Sequence, residues 1–514
     1  MFKAIVSKID NFLNKTTMYR LVFYYLAVLF AAALFLGLFG VLPYSPTALL
    51  ISLAFVLAVS VAANTLFGYV FEVATNVESI YVTALILTLI IPPPASGNLW
   101  SFLPLAFWAS LWAMASKYML AIRSKHLFNP AAFGVALTAL TINGNATWWV
   151  GGNLPLAPFV IIGGLLVVRK IKRSDLVWSF FVAALASIMA TTAQGGGDWF
   201  GAVPKALLHS PIFFFAFVML TEPLTTPPTR FLRIFYGALV GVLYAPAIHL
   251  GGIYSAPELA LLVGNIFSYL VSPKTKLTLR LKDVRKLAND TYDFIFTPDR
   301  AMRFKPGQYL EWTLPGAGAD NRGNRRYFTI ASSPTERDIH LGVKFYNQAS
   351  TFKKKLASFE AGDAIHAGQL AGDFTMPRNK KKKLVFIAGG IGITPFRSMV
   401  KYLADSGERR VVTLLYSNRS VADAAYKDWF DEHAVAAGIK VFYTLTDAEK
   451  IPAGWTGGRG ILDDRTIRRE IPDWQERVFY ISGPQAMVSV FRDTLKAMGV
   501  RRSQIKTDFF PGFA

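Results

Sequence analysis

Leu384 to Met399 reads LVFIAGGIGITPFRSM, and the second half of the chain is organised around these residues. An unbroken apolar run, LVFIA, suits a strand buried on both faces, and the turn after it carries glycine at 389, 390 and 392. Without Cβ atoms in the way, backbone N–H groups can lie against a dinucleotide pyrophosphate at the N-terminus of the helix opening at Thr394 and Pro395. The pattern predicts a parallel α/β domain with Gly389, Gly390, Gly392, Thr394 and Pro395 as cofactor-binding residues.

Outward from this turn the same punctuation recurs. Downstream lie LYSNR (415–419), YISGPQAM (480–487) and DFFPGF (508–513), each a short run ending at a polar or glycine turn. Upstream, from Leu277, short β-rich runs are broken by Gly and Pro: FKPGQY (304–309), RYFTIAS (326–332), QASTFKKKL (348–356) and GQLAGDF (368–374). These predict a β-barrel domain over 273–378 and a nucleotide-binding α/β domain over 379–514.

The first half has a different composition. Of 514 residues 53% are apolar and 17% charged, where a soluble domain carries roughly a quarter charged. Residues 21–270 hold 10 Lys/Arg and 6 Asp/Glu, whereas 271–514 hold 40 and 26. Residues 1–272 are therefore expected to be a polytopic α-helical membrane domain of ten spans. The spans start near Leu21, Thr47, Ser79, Leu99, Phe128, Leu154, Asp175, Ala206, Ile234 and Pro257. Basic residues gather in alternate connections, including Lys117–His126, Arg169–Arg173, Arg230/Arg233 and Lys274–Lys286. The intervening loops around Pro43, Pro93, Asn145 and Ile253 hold none. This places both termini in the cytoplasm. Residues 1–20 read as a cytoplasmic tail rather than a cleaved signal.

Composition also excludes chemistries. With no cysteine there are no disulfides, thiolate nucleophiles or thiolate-held iron–sulfur clusters. The membrane half holds only His126, His209 and His249, too few and too scattered for two stacked b-hemes. The net charge of +21 fits loops facing anionic lipid, so nucleic acid is not expected as a partner and no metal site is assigned.

The C-terminal motifs together resemble the ferredoxin–NADP⁺ reductase superfamily. The resemblance implies that Arg326 meets the FAD pyrophosphate and that Thr329 hydrogen-bonds near the flavin N5. Phe328 replaces the usual tyrosine on the flavin face, with Tyr327 and Ser332 in the same strand. Ser350 and Thr351 would hold phosphate, and Lys353–Lys355 read equally as solvated charges. Ser417, Arg419, Gly483, Pro484, Met487 and Phe513 complete the cofactor-binding set. Ser482 stands where the superfamily has a cysteine on the hydride path, so Thr329 and Ser482 are the catalytic neighbours. Arg419 leaves NADH and NADPH both open, with NADH favoured.

In the first half, SIYVTALILTLIIPPP (79–94), FNPAAFGVAL (128–137) and AFVMLTEPLTTPPTRFLRIFYGALVG (216–241) resemble the RnfD/NqrB family, membrane proteins of the Rnf complex and of Na⁺-pumping NADH:quinone oxidoreductase. That resemblance implies FMN or riboflavin among broken helices, around Thr83, Asn129, Glu222 and Thr225. Thr147 matches a covalent FMN position, although Gly144 replaces the motif's serine; it reads otherwise as a loop threonine beside the interfacial pair Trp148 and Trp149. Together the two resemblances imply an NAD(P)H dehydrogenase in a bacterial cytoplasmic membrane. It would pass electrons through FAD and a membrane flavin to quinone, an outer-face acceptor or a partner electron-transfer protein. A flavin or ion transporter with an attached reductase, and a heme-based ferric reductase, are the alternatives.

Overall fold

The computed structural model describes residues 8–10, 12–13, 16–72, 77–94, 98–122, 125–274, 276–314, 324–346 and 349–508. The chain divides into two compact units, Met1–Lys274 and Thr275–Ala514.

The first unit is helical. In chain order its helices are α1 (Met18–Leu38), α2 (Pro46–Val70), α3 (Val77–Ile90), α4 (Leu99–Met119), α5 (Pro130–Ile142), α6 (Ala157–Ile171), α7 (Ser174–Gln194), α8 (Trp199–His209), α9 (Ile212–Met219), α10 (Arg230–Leu243) and α11 (Pro257–Val271). Among the described residues, five are long and apolar enough to cross a membrane: α1, α2, α4, α7, and α6 with the turn before it from Leu154. The pair α8 and α9, bent by 69°, makes a sixth if taken as one span. Helical segments thus begin near nine of the ten expected starts, the tenth, Ala206, falling inside α8, but α3, α5, α10 and α11 have only 13 to 15 residues, short of the ~20 a full crossing needs.

Why such short helices persist is clearest at α3. It is buried from Thr83 to its end, and Pro92–Pro94 stop it there. Its last carbonyls would be orphans in an apolar interior. They are taken up instead by a loop folded back onto them: Trp149 Nε1 donates to Thr88 O at 3.0 Å, Val150 N to Leu89 O at 3.3 Å, and Thr147 N and Trp148 N to Ile90 O at 3.0 and 2.9 Å. Trp148 and Trp149 are consequently buried, at 3% and 6% exposure, which corrects their reading as an interfacial pair. Lys117 belongs to the last turn of α4 and not to a basic loop. In α9 the chain passes into π-helical geometry at Phe215–Met219.

Helices α7 and α10 pack closely through glycine. A Cβ at Gly237 would lie 2.2 Å from Ser179 Oγ, and one at Gly241 2.6 Å from Phe180 O. Two glycines four apart let the backbones touch where a larger side chain would hold them apart.

The second unit opens with a six-stranded antiparallel sheet: β1 (Leu277–Ala288), β2 (Thr291–Pro298), β3 (Tyr309–Thr313), β4 (Arg325–Thr329), β5 (Ile339–Lys344) and, after helix α12 (Thr351–Ala357), β6 (Ala364–Ala371). Its order is β4-β3-β6-β1-β2-β5. The two edges meet just beyond β4, where Ala331 N donates to His340 O at 3.0 Å and His340 N to Ser332 Oγ at 3.1 Å. This seam closes the barrel.

A parallel sheet follows, from β7 (Leu384–Gly389), α13 (Thr394–Ser406), β8 (Val412–Asn418), α14 (Lys427–Ala436), β9 (Lys440–Leu445), β10 (Gly458–Arg459), α15 (Asp464–Glu470), β11 (Val478–Ser482), α16 (Gln485–Ala497) and β12 (Ile505–Asp508). Its order is β10-β9-β8-β7-β11-β12. Alternate residues of β7 enter separate cores: Leu384, Phe386 and Ala388 pack with α13 and α14, Val385 and Ile387 with α15 and α16. The sheet is covered on both faces, as the run LVFIA requires.

The glycine contact of α7 and α10 is directly testable. Gly241→Leu is expected to destabilise the first unit by about 1–3 kcal/mol through overpacking. In detergent, its unfolding midpoint should fall relative to Gly241→Ala, measured by circular dichroism, while the transition of the second unit stays in place.

Candidate functional site

At the C-terminal end of the parallel sheet three chain segments converge. The turn after β7, at Gly390, adopts φ +52°, which glycine takes at no cost. A Cβ there would meet nothing within 4 Å, so this side of the turn is open to a ligand. On the other side the fit is tight. A Cβ at Gly392 would lie 2.5 Å from Ser482 O and 2.6 Å from Gly483 Cα, and one at Gly389 2.1 Å from Met487 Sδ. Sequence-distant residues Gly389, Gly392, Ser482, Gly483 and Met487 therefore form one wall, because β7 and β11 are parallel neighbours with Ala388 beside Ser482. Ser417, next to last in β8, lies beside Gly389, with Arg419 exposed two residues on. Thr394 and Pro395 form the buried first turn of α13, and Pro484 is exposed at the head of α16. Phe513 lies outside the described residues.

The barrel brings together a second set. In β4, Arg326 and Phe328 lie on one face, opposite Trp312 and Leu310 of β3. The Arg326 guanidinium sits 5.5 Å over the Phe352 ring, and the Phe328 ring is 5.8 Å from the same ring. Phe352 belongs to the first turn of α12, so Ser350 and Thr351, at the start of that helix, are carried to the same place. A cation, an aromatic face and a helix start converge here from residues 326–328 and 350–352, a donor set that fits the pyrophosphate and ring of FAD. Thr329 is buried at the end of β4, opposite Tyr309.

Other expected residues have other occupations. Ser350 Oγ accepts Lys353 N at 3.4 Å as the helix cap. Ser332 is fully buried, its hydroxyl accepting His340 N and its carbonyl accepting Ser398 Oγ at 2.6 Å, so it ties the barrel seam to α13 instead of facing a cofactor. Tyr327 points to the opposite face from Arg326, donating to Glu311 Oε2 at 2.7 Å. Lys353 is 2% exposed with its ammonium on Lys344 O at 2.6 Å, unlike the exposed Lys354 and Lys355.

In the first unit a polar cluster gathers where short helices end. Asn129 caps α5 through Ala132 N at 3.1 Å and sends Nδ2 to Met219 O, the end of α9, at 3.5 Å. Its backbone N–H donates to Asn265 Oδ1 at 2.8 Å, and Asn265 Nδ2 donates to Tyr236 OH at 2.9 Å. Thr225 Oγ1 donates to Glu222 Oε2 at 3.2 Å, and Lys117 and Asn129 both act on the Glu222 carboxylate. Lys117 Nζ donates to Ser79 O at 3.0 Å, the carbonyl that also accepts Thr83 Oγ1 at 2.9 Å. Thr83, Asn129 and Thr225, all buried, and the half-buried Glu222 therefore share one polar cluster. Thr147 is not in it. It is exposed at the far end of α3, about 10 Å along the helix from Thr83 at 1.5 Å per residue.

Lys117, Tyr236 and Asn265 were not singled out from sequence. Asn265 left a signal, a lone amide within the apolar run LLVGNIFSYL. The pair Arg397 and Glu336, described below, left none. Among the described residues no group of three or more His, Asp or Glu is arranged to hold a metal ion.

Residues 386–493 match the family model described as the oxidoreductase NAD-binding domain. The chain is 27% identical over 227 residues to a flavohemoprotein of Pseudomonas putida, covering 43% of this chain and 56% of that one. It is 26% identical to the stachydrine N-demethylase reductase subunit Stc4 of Rhizobium meliloti, covering 44% and 64%. It is 27% identical over 255 residues to NADH-cytochrome b5 reductase 1 of Ajellomyces capsulatus, covering 47% and 81%. The chain thus spans 56% and 64% of the first two relatives and most of the third. The second unit carries an oxidoreductase NAD-binding segment, and its relatives are reductases and a flavohemoprotein.

Arg326→Ala is expected to weaken FAD retention at least about tenfold, the loss of a charge-assisted bond of about 1.5–3 kcal/mol. FAD released on gel filtration, read by fluorescence, measures this; a full complement of FAD in the variant would remove Arg326 from the site.

Proposed function

We propose that the chain is a membrane-bound flavoprotein that oxidises NADH or NADPH in its second unit and delivers electrons to its first. The observation that carries this is the wall formed by Gly389, Gly392, Ser482, Gly483 and Met487 beneath an open glycine turn. It lies within the segment matching the oxidoreductase NAD-binding domain, directly after a closed antiparallel barrel. FAD, when bound, accepts a hydride from the nicotinamide and releases electrons singly; the chain supplies binding and orientation. Arg326 would pair with pyrophosphate, and Thr329 would hold the flavin edge. The turn 389–395 would place the nicotinamide beside it, near Ser482.

For the first unit, the helices of spanning length among the described residues support a bacterial cytoplasmic membrane, and ten crossings, the short helices included, would put the basic connections and both termini on the cytoplasmic side. The polar cluster of Thr83, Asn129, Glu222 and Thr225, enclosed by short helices, supports the likeness to the RnfD/NqrB family. On this reading the cluster holds FMN or riboflavin, and electrons go on to quinone or an outer-face acceptor. A partner electron-transfer protein is a second reading, favoured by the likeness to the reductase component of a demethylase.

Two measurements test the proposal. The likeness to an NADH-cytochrome b5 reductase favours NADH, although no acid lies between Tyr416 and Arg419 to hold a ribose hydroxyl and Arg419 would also suit a 2′-phosphate. NADH is therefore expected to give the higher kcat/KM, and a tenfold preference for NADPH would reverse this. A fragment starting at Pro273 is expected to reduce soluble dyes with NADH but not a membrane quinone. If it reduces quinone as fast as the full chain, the first unit takes no part in electron transfer.

A further inference from the structure

We propose that Arg397 is a positioning residue for hydride transfer, locking the nicotinamide-side helix onto the barrel seam through Glu336; this rests on the reading of the second unit as an NAD(P)H-oxidising flavoprotein. Arg397 lies two residues beyond Pro395, still in the first turn of α13, so a shift of its Cα is a shift of the turn at 389–395. Its guanidinium forms a fork on Glu336, Nη1 to Oε2 at 2.8 Å and Nη2 to Oε1 at 2.9 Å, and Nη1 also donates to Ala331 O at 2.9 Å. Ala331 is two residues from Thr329 and is itself the seam residue whose N–H closes the barrel on His340.

Both ends of this link are held rigid. On the barrel side Glu336 Oε2 accepts Ser333 N at 2.6 Å, and His340, 3.9 Å from Glu336, is bound to Asp293 at 2.8 Å. On the nucleotide side the guanidinium lies 5.1 Å over the Trp429 ring and 5.5 Å over the Tyr426 ring, both at α14. Arg397 is 4% exposed, and a planar fork stacked on rings resists rotation in a way that a lysine ammonium cannot. The neighbouring Ser398–Ser332 bond and the close approach at Gly342, where a Cβ would lie 2.7 Å from Thr394 Cγ2, run parallel to it.

The reaction this serves is geometrically demanding. With FAD and nucleotide bound, the C4–H bond of the dihydronicotinamide would break, its hydrogen and electron pair passing to flavin N5 and one proton coming from water. The nucleotide is oxidised by two electrons and FAD reduced by two. Displacement of the reacting atoms by about 1 Å costs such a step on the order of 100-fold. The part of Arg397 is to set the separation of the two segments that would hold nicotinamide and flavin.

The test uses the full chain with its FAD in detergent, as wild type, Arg397→Lys, Glu336→Gln and the double variant. Four quantities are read: FAD content, the NADH concentration for half-saturation, the limiting rate of flavin bleaching in anaerobic stopped flow, and its primary isotope effect with C4-deuterated NADH. Each single variant is expected to lose about 10- to 100-fold in limiting rate. Half-saturation should stay within about threefold, FAD content should be unchanged, and the isotope effect should rise as hydride transfer becomes more fully limiting. The double variant should be no slower than the slower single one. Unchanged limiting rates in FAD-replete variants would overturn the assignment, and so would loss of rate only in proportion to lost FAD in both single variants. If wild type is reduced by neither NADH nor NADPH, it is the underlying reading of the second unit that fails.

Discussion

The second unit depends on one buried contact, the fork of Arg397 on Glu336 at the barrel seam. Desolvating two charges is expensive, and the attraction repays it only where geometry is good and the remaining donors are used. Here they are: the same guanidinium donates to Ala331 O, and the same carboxylate accepts Ser333 N. Removing Glu336 would leave the buried Arg397 charge without its carboxylate, which costs about 3–5 kcal/mol in comparable cases, whereas Glu336, half-buried, would keep some access to water. Burial raises the Tyr426 phenol well above its usual range, and the Asp293 and Glu336 charges raise it further, so the network contains a neutral hydroxyl beside its ion pairs.

What this contact joins is as constrained as the contact itself. Glycine at 389 and 392 lets the turn after β7 press against β11, and neither position tolerates a Cβ without displacing Met487 or the Ser482–Gly483 backbone. The barrel strand β4 offers Arg326 and Phe328 on one face, while Ser332 is spent on closing the seam. Strand, seam, clamp and turn form one continuous chain of contacts from Thr329 to Thr394.

The first unit obeys a different constraint. In an apolar interior, backbone groups at a broken helix must find partners within the protein. The loop 147–150 satisfies the end of α3, and Asn129 joins the start of α5 to the end of α9. Such breaks concentrate polar side chains, so Lys117, Glu222 and Asn265 come to share one cluster with Asn129.

Local order was legible because it is local. A strand, a glycine turn and a helix start are dictated by neighbouring residues, so β7, the turn at 389–392 and α13 could be read directly from LVFIAGGIGITPFRSM, and helix starts in the first unit from apolar runs and proline. The family match over residues 386–493 agrees with the first of these readings. Helix length was less legible, since composition does not say whether an apolar run crosses a bilayer or ends buried at Pro92 or Met219. Long-range pairing was not legible at all. Tyr327 and Phe328 are adjacent in sequence yet face opposite ways, Trp148 looked interfacial yet is buried, and nothing in the sequence paired Arg397 with Glu336, 61 residues away. By itself the sequence determined the strand–turn–helix units, the division into an apolar and a polar half, and the exclusion of cysteine chemistry. Only the tertiary structure decided which side chains meet, because burial and ion pairing depend on distances in space that strand order and helix packing set, and that spacing along the chain does not record.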